Sequence, residues 1–141
     1  MIVLDTNVIS EMMREHPAAR VLHWLRSVPP SQVHTTIMCK AEVLFGIALL
    51  GESRRKRQLR DAAERIFAEV FRDRVLGFDD RAAEEFASIY ATRERTGRRM
   101  QIMDGLIAGI VRANKLALAT RDVQDFADCG IEIVNPWNGQ T

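Results

Sequence analysis

A chain of 141 residues, 47% of them hydrophobic, is long enough for one domain with a buried core and too short for two, so a single domain is expected over residues 1–141. Lys and Arg number 20 against 19 Asp and Glu, and a formal charge of +1 leaves the question of a nucleic-acid partner to the local distribution of charge. No apolar run approaches transmembrane length, the start Met1-Ile2-Val3-Leu4 has no basic n-region, and Cys39 and Cys129 have neither metal-ligand spacing nor the number for a disulfide framework. These features exclude a membrane partner and fit a cytoplasmic protein. Short apolar runs then alternate with stretches of helical period, the pattern of an α/β fold with a parallel sheet covered by helices. Ile2-Val3-Leu4 reads as a buried strand, followed by a short helix from Val8 to Arg14. Pro17 opens a second helix with Val21, Leu22, Trp24, Leu25 and Val28 on its apolar face, and Pro29-Pro30 ends it. Val33-His34-Thr35-Thr36 is β-prone and leads into a helix from Met38 to Leu50, closed by Gly51. Ser53 caps a basic helix whose stripe is Leu59, Ala63, Ile66, Phe67, Val70 and Phe71. A strand at Arg74-Val75-Leu76 precedes a long helix, capped by Asp79 or Asp80 and ending at Gly97, and then a helix from Ile102 to Asn114. The strand Leu116-Ala117-Leu118-Ala119, a last short helix and the strand Glu132-Ile133-Val134 complete the pattern.

Two of these strands end in acids: Asp5, followed by Thr6-Asn7, and Thr120-Arg121-Asp122. In open α/β sheets the crevice beyond the carboxyl ends of the strands is where ligands bind, so the two carboxylates read as parts of a site. Glu42 is anomalous in another way, because its helical neighbours Met38, Cys39, Phe45, Gly46 and Leu49 are apolar and no cation shares that face. An ionised carboxylate buried unpaired costs several kcal/mol, so Glu42 needs a partner, a raised pKa or a metal, unless the edge of its stripe reaches water. Asp104 opens a helix in which Ala108 and Val111 follow on its own face; a cap or a helix-dipole partner would look the same. Gathered at one point, Asp5, Glu42, Asp104 and Asp122 could not all ionise without cations, and a divalent metal resolves that conflict. Oxygen-only ligands favour Mg²⁺ or Mn²⁺ over Zn²⁺, and the scattered His16, His23 and His34 add no ligand. The chemistry such a site serves is phosphoryl transfer, with Thr6, Asn7 and Thr120 orienting the acids by hydrogen bonds.

Leu4-Asp5-Thr6-Asn7-Val8-Ile9-Ser10-Glu11, Lys40-Ala41-Glu42-Val43, Met103-Asp104-Gly105-Leu106-Ile107-Ala108, Ala119-Thr120-Arg121-Asp122 and Val134-Asn135-Pro136-Trp137, in this order and spacing, resemble the PIN-domain nucleases over essentially the whole chain. More narrowly they are similar to VapC-type toxins of bacterial toxin–antitoxin pairs, and within those to the FitB branch. The resemblance implies a PIN-like central parallel sheet of about five strands with the first and fourth side by side, and a Mg²⁺- or Mn²⁺-dependent endoribonuclease. In it Asp5, Glu42, Asp104 and Asp122 would bind one or two ions, and a metal-activated water would attack the RNA phosphodiester in line. Asp125 stands where some members place a further ligand. The implied partners are RNA and a small, DNA-binding antitoxin with a C-terminal inhibitory tail. That tail would insert a basic side chain among the acids from an apolar groove around Met12-Met13 and Leu44-Phe45, and operator DNA would be reached only through the antitoxin. A homodimer is implied as well, the apolar residues Trp24, Leu44, Phe45, Ile47, Leu49 and Leu50 being more than one stripe buries, with a higher assembly formed with the antitoxin.

Other readings compete. A haloacid-dehalogenase-type phosphatase needs a second Asp two residues after the first, where this chain has Asn7. A catalytically weak PIN protein, acting mainly with its antitoxin in DNA-bound autorepression, is the alternative that the retained acids disfavour. The bases from Arg54 to Arg60, and Arg93, Arg95, Arg98 and Arg99, would track RNA phosphates, but Glu52, Asp61, Glu64, Glu84, Glu85 and Glu94 interleave with them as on a solvated face. Arg98 and Arg99, just before the helix of Asp104, are the pair expected at the rim of the site.

Overall fold

A computed structural model describes residues 1–138. Five strands, β1 (Ile2–Leu4), β2 (Val33–Thr36), β3 (Val75–Leu76), β4 (Ala117–Ala119) and β5 (Ile133–Val134), form one sheet in the order β3-β2-β1-β4-β5. Every pairing is parallel. The central strands read as unbroken apolar runs because helices cover the sheet and both faces of β1 are buried. Ile2 registers with Ala117 and Leu4 with Ala119, and Asp5 N–H donates to Ala119 O at 2.9 Å. The chain therefore leaves the sheet at Asp5 and at Thr120 side by side. Because β1 leads to β2 on one side and pairs with β4 on the other, the sheet reverses its direction of growth there, which opens the crevice that the sequence predicts.

Six α-helices flank the sheet: α1 (Thr6–Met12), α2 (Ala19–Ser27), α3 (Ile37–Ala48), α4 (Arg54–Arg65), α5 (Asp80–Arg95) and α6 (Ile102–Ala113). Asp5 is itself the N-cap of α1, accepting from Thr6 N–H, so that helix begins two residues before the predicted Val8. Ser53 and Asp79 cap α4 and α5 as expected, and Thr36 caps α3. Ala18 has no side chain with which to cap α2; Glu11 ties down the entry to the helix, its carboxylate accepting from Ala18 N–H at 2.8 Å. The basic helix α4 continues into a π turn at Ile66–Val70, and the predicted last helix is a 3₁₀ turn, Val123–Phe126.

The most extensive helix pairing is that of α5 with α6, and glycines make its close approach possible. A Cβ at Gly105 would lie 2.8 Å from Tyr90 Cδ1, and one at Gly109 2.8 Å from the Ala82 carbonyl oxygen. Small residues thus seat α6 deep against α5 and carry Asp104, in its first turn, to the carboxyl end of the sheet. Trp24 and Ile47, expected in an intersubunit face, belong to the core of the domain. No helix among the described residues is long and apolar enough to cross a membrane.

Candidate active site

Asp5 is 5% exposed, and each of its oxygens is spoken for. Oδ1 accepts from Thr6 N–H at 2.8 Å and faces the Cys39 thiol at 3.8 Å, while Oδ2 accepts from Thr120 Oγ1 at 2.7 Å. Thr120 Oγ1 in turn accepts from Asp122 N–H at 3.0 Å and from Asn7 Nδ2 at 3.3 Å, and Asn7 Nδ2 also donates to Asp122 Oδ2 at 2.9 Å. Thr6 Oγ1 donates to Glu42 Oε1 at 2.7 Å. The three polar residues expected to orient acids therefore each touch one or two of them. Glu42 takes the setting that the sequence left open beside full burial, at the water-reaching edge of its stripe. The buried face of α3 is Cys39, Val43 and Ile47, so Glu42 lies at the edge of the stripe, half-buried and hydrogen-bonded, and is not enclosed by it.

Asp5, Glu42, Asp104 and Asp122, from β1, α3, α6 and the end of β4, line one cavity of about 450 Å³ together with Thr6, Asn7, Ser10, Glu11, Arg14, Arg121 and Trp137. Burial pushes the Asp104 carboxyl up to about 6, and the charges of Asp5, Asp125, Glu42 and Asp122 add to the effect. Asp5 is raised too, chiefly by burial, against the hydrogen bonds from Thr120 and Thr6 that favour its ionised form. The Cys39 thiol, pushed up to about 12 by burial and by Asp5, stays protonated and is no nucleophile.

These acids fit a hard divalent cation in ligand type and in charge: carboxylates from four elements face one cavity, and two of them resist ionising there. In side-chain placement they are not a finished cage, since no three His, Cys, Asp or Glu side chains among the described residues are grouped so as to hold an ion. Thr6, Asn7 and Thr120 hold Glu42, Asp122 and Asp5 on hydrogen bonds, whereas Asp104 makes no side-chain hydrogen bond among the described residues.

Several predicted neighbours lie elsewhere. Asp125 is exposed and lines an adjoining cleft with Arg121 and Asp122, reaching the acid cavity only through its field on Asp104. Arg98 and Arg99 do not rim the cavity, because acids nearby claim them: Arg98 pairs with Asp128, and Arg99 Nε with Glu94 at 3.2 Å. From Arg54 to Arg60 the bases are solvated, except for Lys56, which is buried beside Glu52. The cavity instead holds Arg14 and Arg121. Arg14 was partly legible: Asn7, Ser10 and Glu11 share one face of α1 at steps of three and four, and Arg14 follows three residues after Glu11, in the turn just past the helix. Trp137 carries no local signal that would place it there.

The PIN-domain family profile matches residues 2–131. Over 138 residues the chain is 36% identical to the toxin FitB of Neisseria gonorrhoeae, covering 98% of this chain and 99% of that protein. It is 34% identical over 137 residues to the VapC ribonuclease Y4jK of Sinorhizobium fredii, covering 97% and 98%. A solved structure of FitAB bound to an IR36 DNA fragment superposes on 97% of this chain and 96% of that one with a TM-score of 0.90 at 35% identity. With the matched region running from β1 through the turn after β4, the chain belongs to the PIN-domain family.

Proposed function

We propose that this protein is a metal-dependent endoribonuclease, the toxin of a toxin–antitoxin pair, and that Asp5, Glu42, Asp104 and Asp122 hold Mg²⁺ or Mn²⁺. The observation that carries the reading is the convergence of four carboxylates on one cavity, where burial and its acidic neighbours push the Asp104 carboxyl up to about 6. A divalent ion bound there supplies Lewis-acid chemistry, lowering the pKa of water and neutralising charge on phosphate oxygens. The protein's part is positional: Thr6 fixes Glu42, Thr120 fixes Asp5, and Asn7 fixes Asp122, so that these three acids share one frame at the ends of β1 and β4 and the start of α1, while α6 carries Asp104 to it. A ribonuclease acts where RNA is, which keeps the cytoplasm as its place of action. The test is RNA cleavage by purified protein. Activity is expected with Mg²⁺ or Mn²⁺, to vanish with EDTA, not to be restored by Ca²⁺, and to be lost in Asp5→Asn and Asp104→Asn with the fold intact. Full cleavage by Asp5→Asn would sink the assignment.

The likeness to the toxin FitB and to DNA-bound FitAB supports an antitoxin as partner, with operator DNA reached through it. A groove of about 200 Å³ beside the acid cavity, lined by Met13, Val43, Gly46 and Leu59 with Ser10, Arg14, Glu42 and Arg55, is where the inhibitory tail would lie. Met12 opens instead on a separate apolar cavity, and Leu44 and Phe45 face solvent, so the groove is narrower than the sequence indicates. From it a Lys or Arg of the tail would reach the acids and compete with the ion. DNA-bound repression through the antitoxin is the second reading, and it adds to cleavage without replacing it.

A further inference from the structure

Seven charged side chains line the acid cavity: five carboxylates, from Asp5, Glu11, Glu42, Asp104 and Asp122, and two guanidiniums. Arg14 is engaged by Glu11 at 3.4 Å. Arg121 is different. Its guanidinium carbon sits 4.3 Å from the centroid of the Trp137 ring, and no hydrogen bond or ion pair among the described residues uses its five N–H groups. The backbone fixes it as well, because Arg121 N–H donates to Asn7 Oδ1 at 3.3 Å between the anchored Thr120 and Asp122. Trp137 is held in turn: its backbone N–H donates to Asn135 Oδ1 at 3.0 Å, and its carbonyl accepts from Arg20 on α2 at 3.4 Å. A planar cation is thus pinned over the Trp137 ring on the lip of an acidic cavity, exposed and with its hydrogen-bonding edge unused among the described residues.

We propose that Arg121, braced by Trp137, is a substrate-binding clamp that grips an RNA backbone phosphate next to the one cut. The inference rests on the ribonuclease reading and adds to it the means by which a polyanion is held over five carboxylates. Arg suits this role because its fork meets two phosphate oxygens at once, and stacking removes rotamer freedom before RNA arrives. The ring supplies the brace through its face, so Phe at 137 should serve nearly as well as Trp, whereas Ala should not. Lys at 121 keeps the charge and loses the planar fork.

Steady-state cleavage of a labelled, mixed-sequence single-stranded RNA, with binding of the same RNA measured against salt in an Asp104→Asn background, tests the clamp. Arg121→Ala is expected to raise KM about ten-fold with a smaller change in kcat. It should also lower the slope of log affinity against log salt by about 0.7, the loss of one single-strand phosphate contact. Arg121→Lys and Trp137→Phe should fall between the two or near the parent, and Trp137→Ala should resemble Arg121→Ala. Unchanged KM and salt slope in Arg121→Ala would overturn the clamp, as would a loss confined to kcat, which would place Arg121 in the support of Asp122. Trp137→Ala with parental KM would overturn the brace. The two readings fail differently: parent protein that neither cuts nor binds RNA removes the ribonuclease and the clamp together, whereas active parent protein with a silent Arg121→Ala removes the clamp alone.

Discussion

Asp104 ionises only near pH 6 because burial and four neighbouring acids all oppose its charge, whereas in the unfolded chain it would ionise near its ordinary 3.8. The sign of the consequence follows from linkage: between these values the folded state binds more protons than the unfolded one, so stability from this group is fullest below the lower value and is lost as pH rises through the higher. Without divalent ions, Asp104→Asn is therefore expected to melt at a higher temperature than the parent at about pH 7, with the gain shrinking to nothing by about pH 4. Mg²⁺ should raise the melting temperature of the parent more than that of the variant, because the ion relieves the same repulsion. Calorimetry across pH with EDTA, then with Mg²⁺, reads both effects, and a variant that melts lower than the parent near neutrality would contradict the account. Asp5→Asn is a poorer stability test. Its amide would turn one acceptor into a donor facing Thr6 N–H or the Thr120 hydroxyl, both of which now donate to it.

Helix α6 reaches the site only because α5 lets it approach, and that dependence can be measured. Gly109→Ala gains up to about 1 kcal/mol of helix propensity, yet its methyl would meet the Ala82 carbonyl at 2.8 Å and Phe86 N at 3.0 Å, backbone atoms that cannot turn aside. Overpacking costs roughly 1–3 kcal/mol, so a net loss of up to about 2 kcal/mol is expected, with cleavage falling as Asp104 is displaced. Gly105→Ala meets the rings of Tyr90 and Phe86, which can rotate, and should cost less. Equal unfolding midpoints for parent and Gly109→Ala would show that the pair has slack. Much at this scale was legible in sequence, because strands buried on both faces appear as apolar runs and Ser53 and Asp79 announce their helices. Other features were not. The π turn preserves the apolar stripe of α4 and so leaves no mark on it, and α3 is apolar on nearly all sides, which hid the fact that Cys39, Val43 and Ile47 are its buried face. The side-by-side placement of Asp5 and Asp122 follows from β1–β4 pairing, a long-range fact that no local period encodes and that the family resemblance supplied. Arg121 and Trp137 lie in two of the motifs that carry the family resemblance, but their contact spans β5 and no local pattern announces it.

For the whole molecule, the unresolved matter of surface is the outer face of α3. Ile37, Leu44, Phe45 and Leu49 are 42%, 42%, 65% and 71% exposed, on the side of the helix away from Cys39, Val43 and Ile47. Exposed Ala41 and Ala48 fill the gaps at helical spacing, and the result is an apolar strip with no lysine, arginine, aspartate or glutamate in its centre. Scattered exposed apolar residues need no explanation, but a continuous strip on one helix marks a surface that another protein covers. A second copy of this chain is the expected occupant, since the tail groove lies on the other flank of α3, at Val43 and Gly46, and leaves this strip open. Stable interfaces bury about 800 Å² per partner, so the strip would form the centre of the contact and neighbouring residues its rim. Phe45→Asp puts an unpaired charge into that centre without touching the core or the acid cavity. Sedimentation of the parent is expected to show a dimer that dissociates on dilution, and Phe45→Asp a monomer with an unchanged circular dichroism spectrum. A parent that remains monomeric at every concentration would reject the dimer, and a Phe45→Asp dimer as tight as the parent's would move the interface to another face.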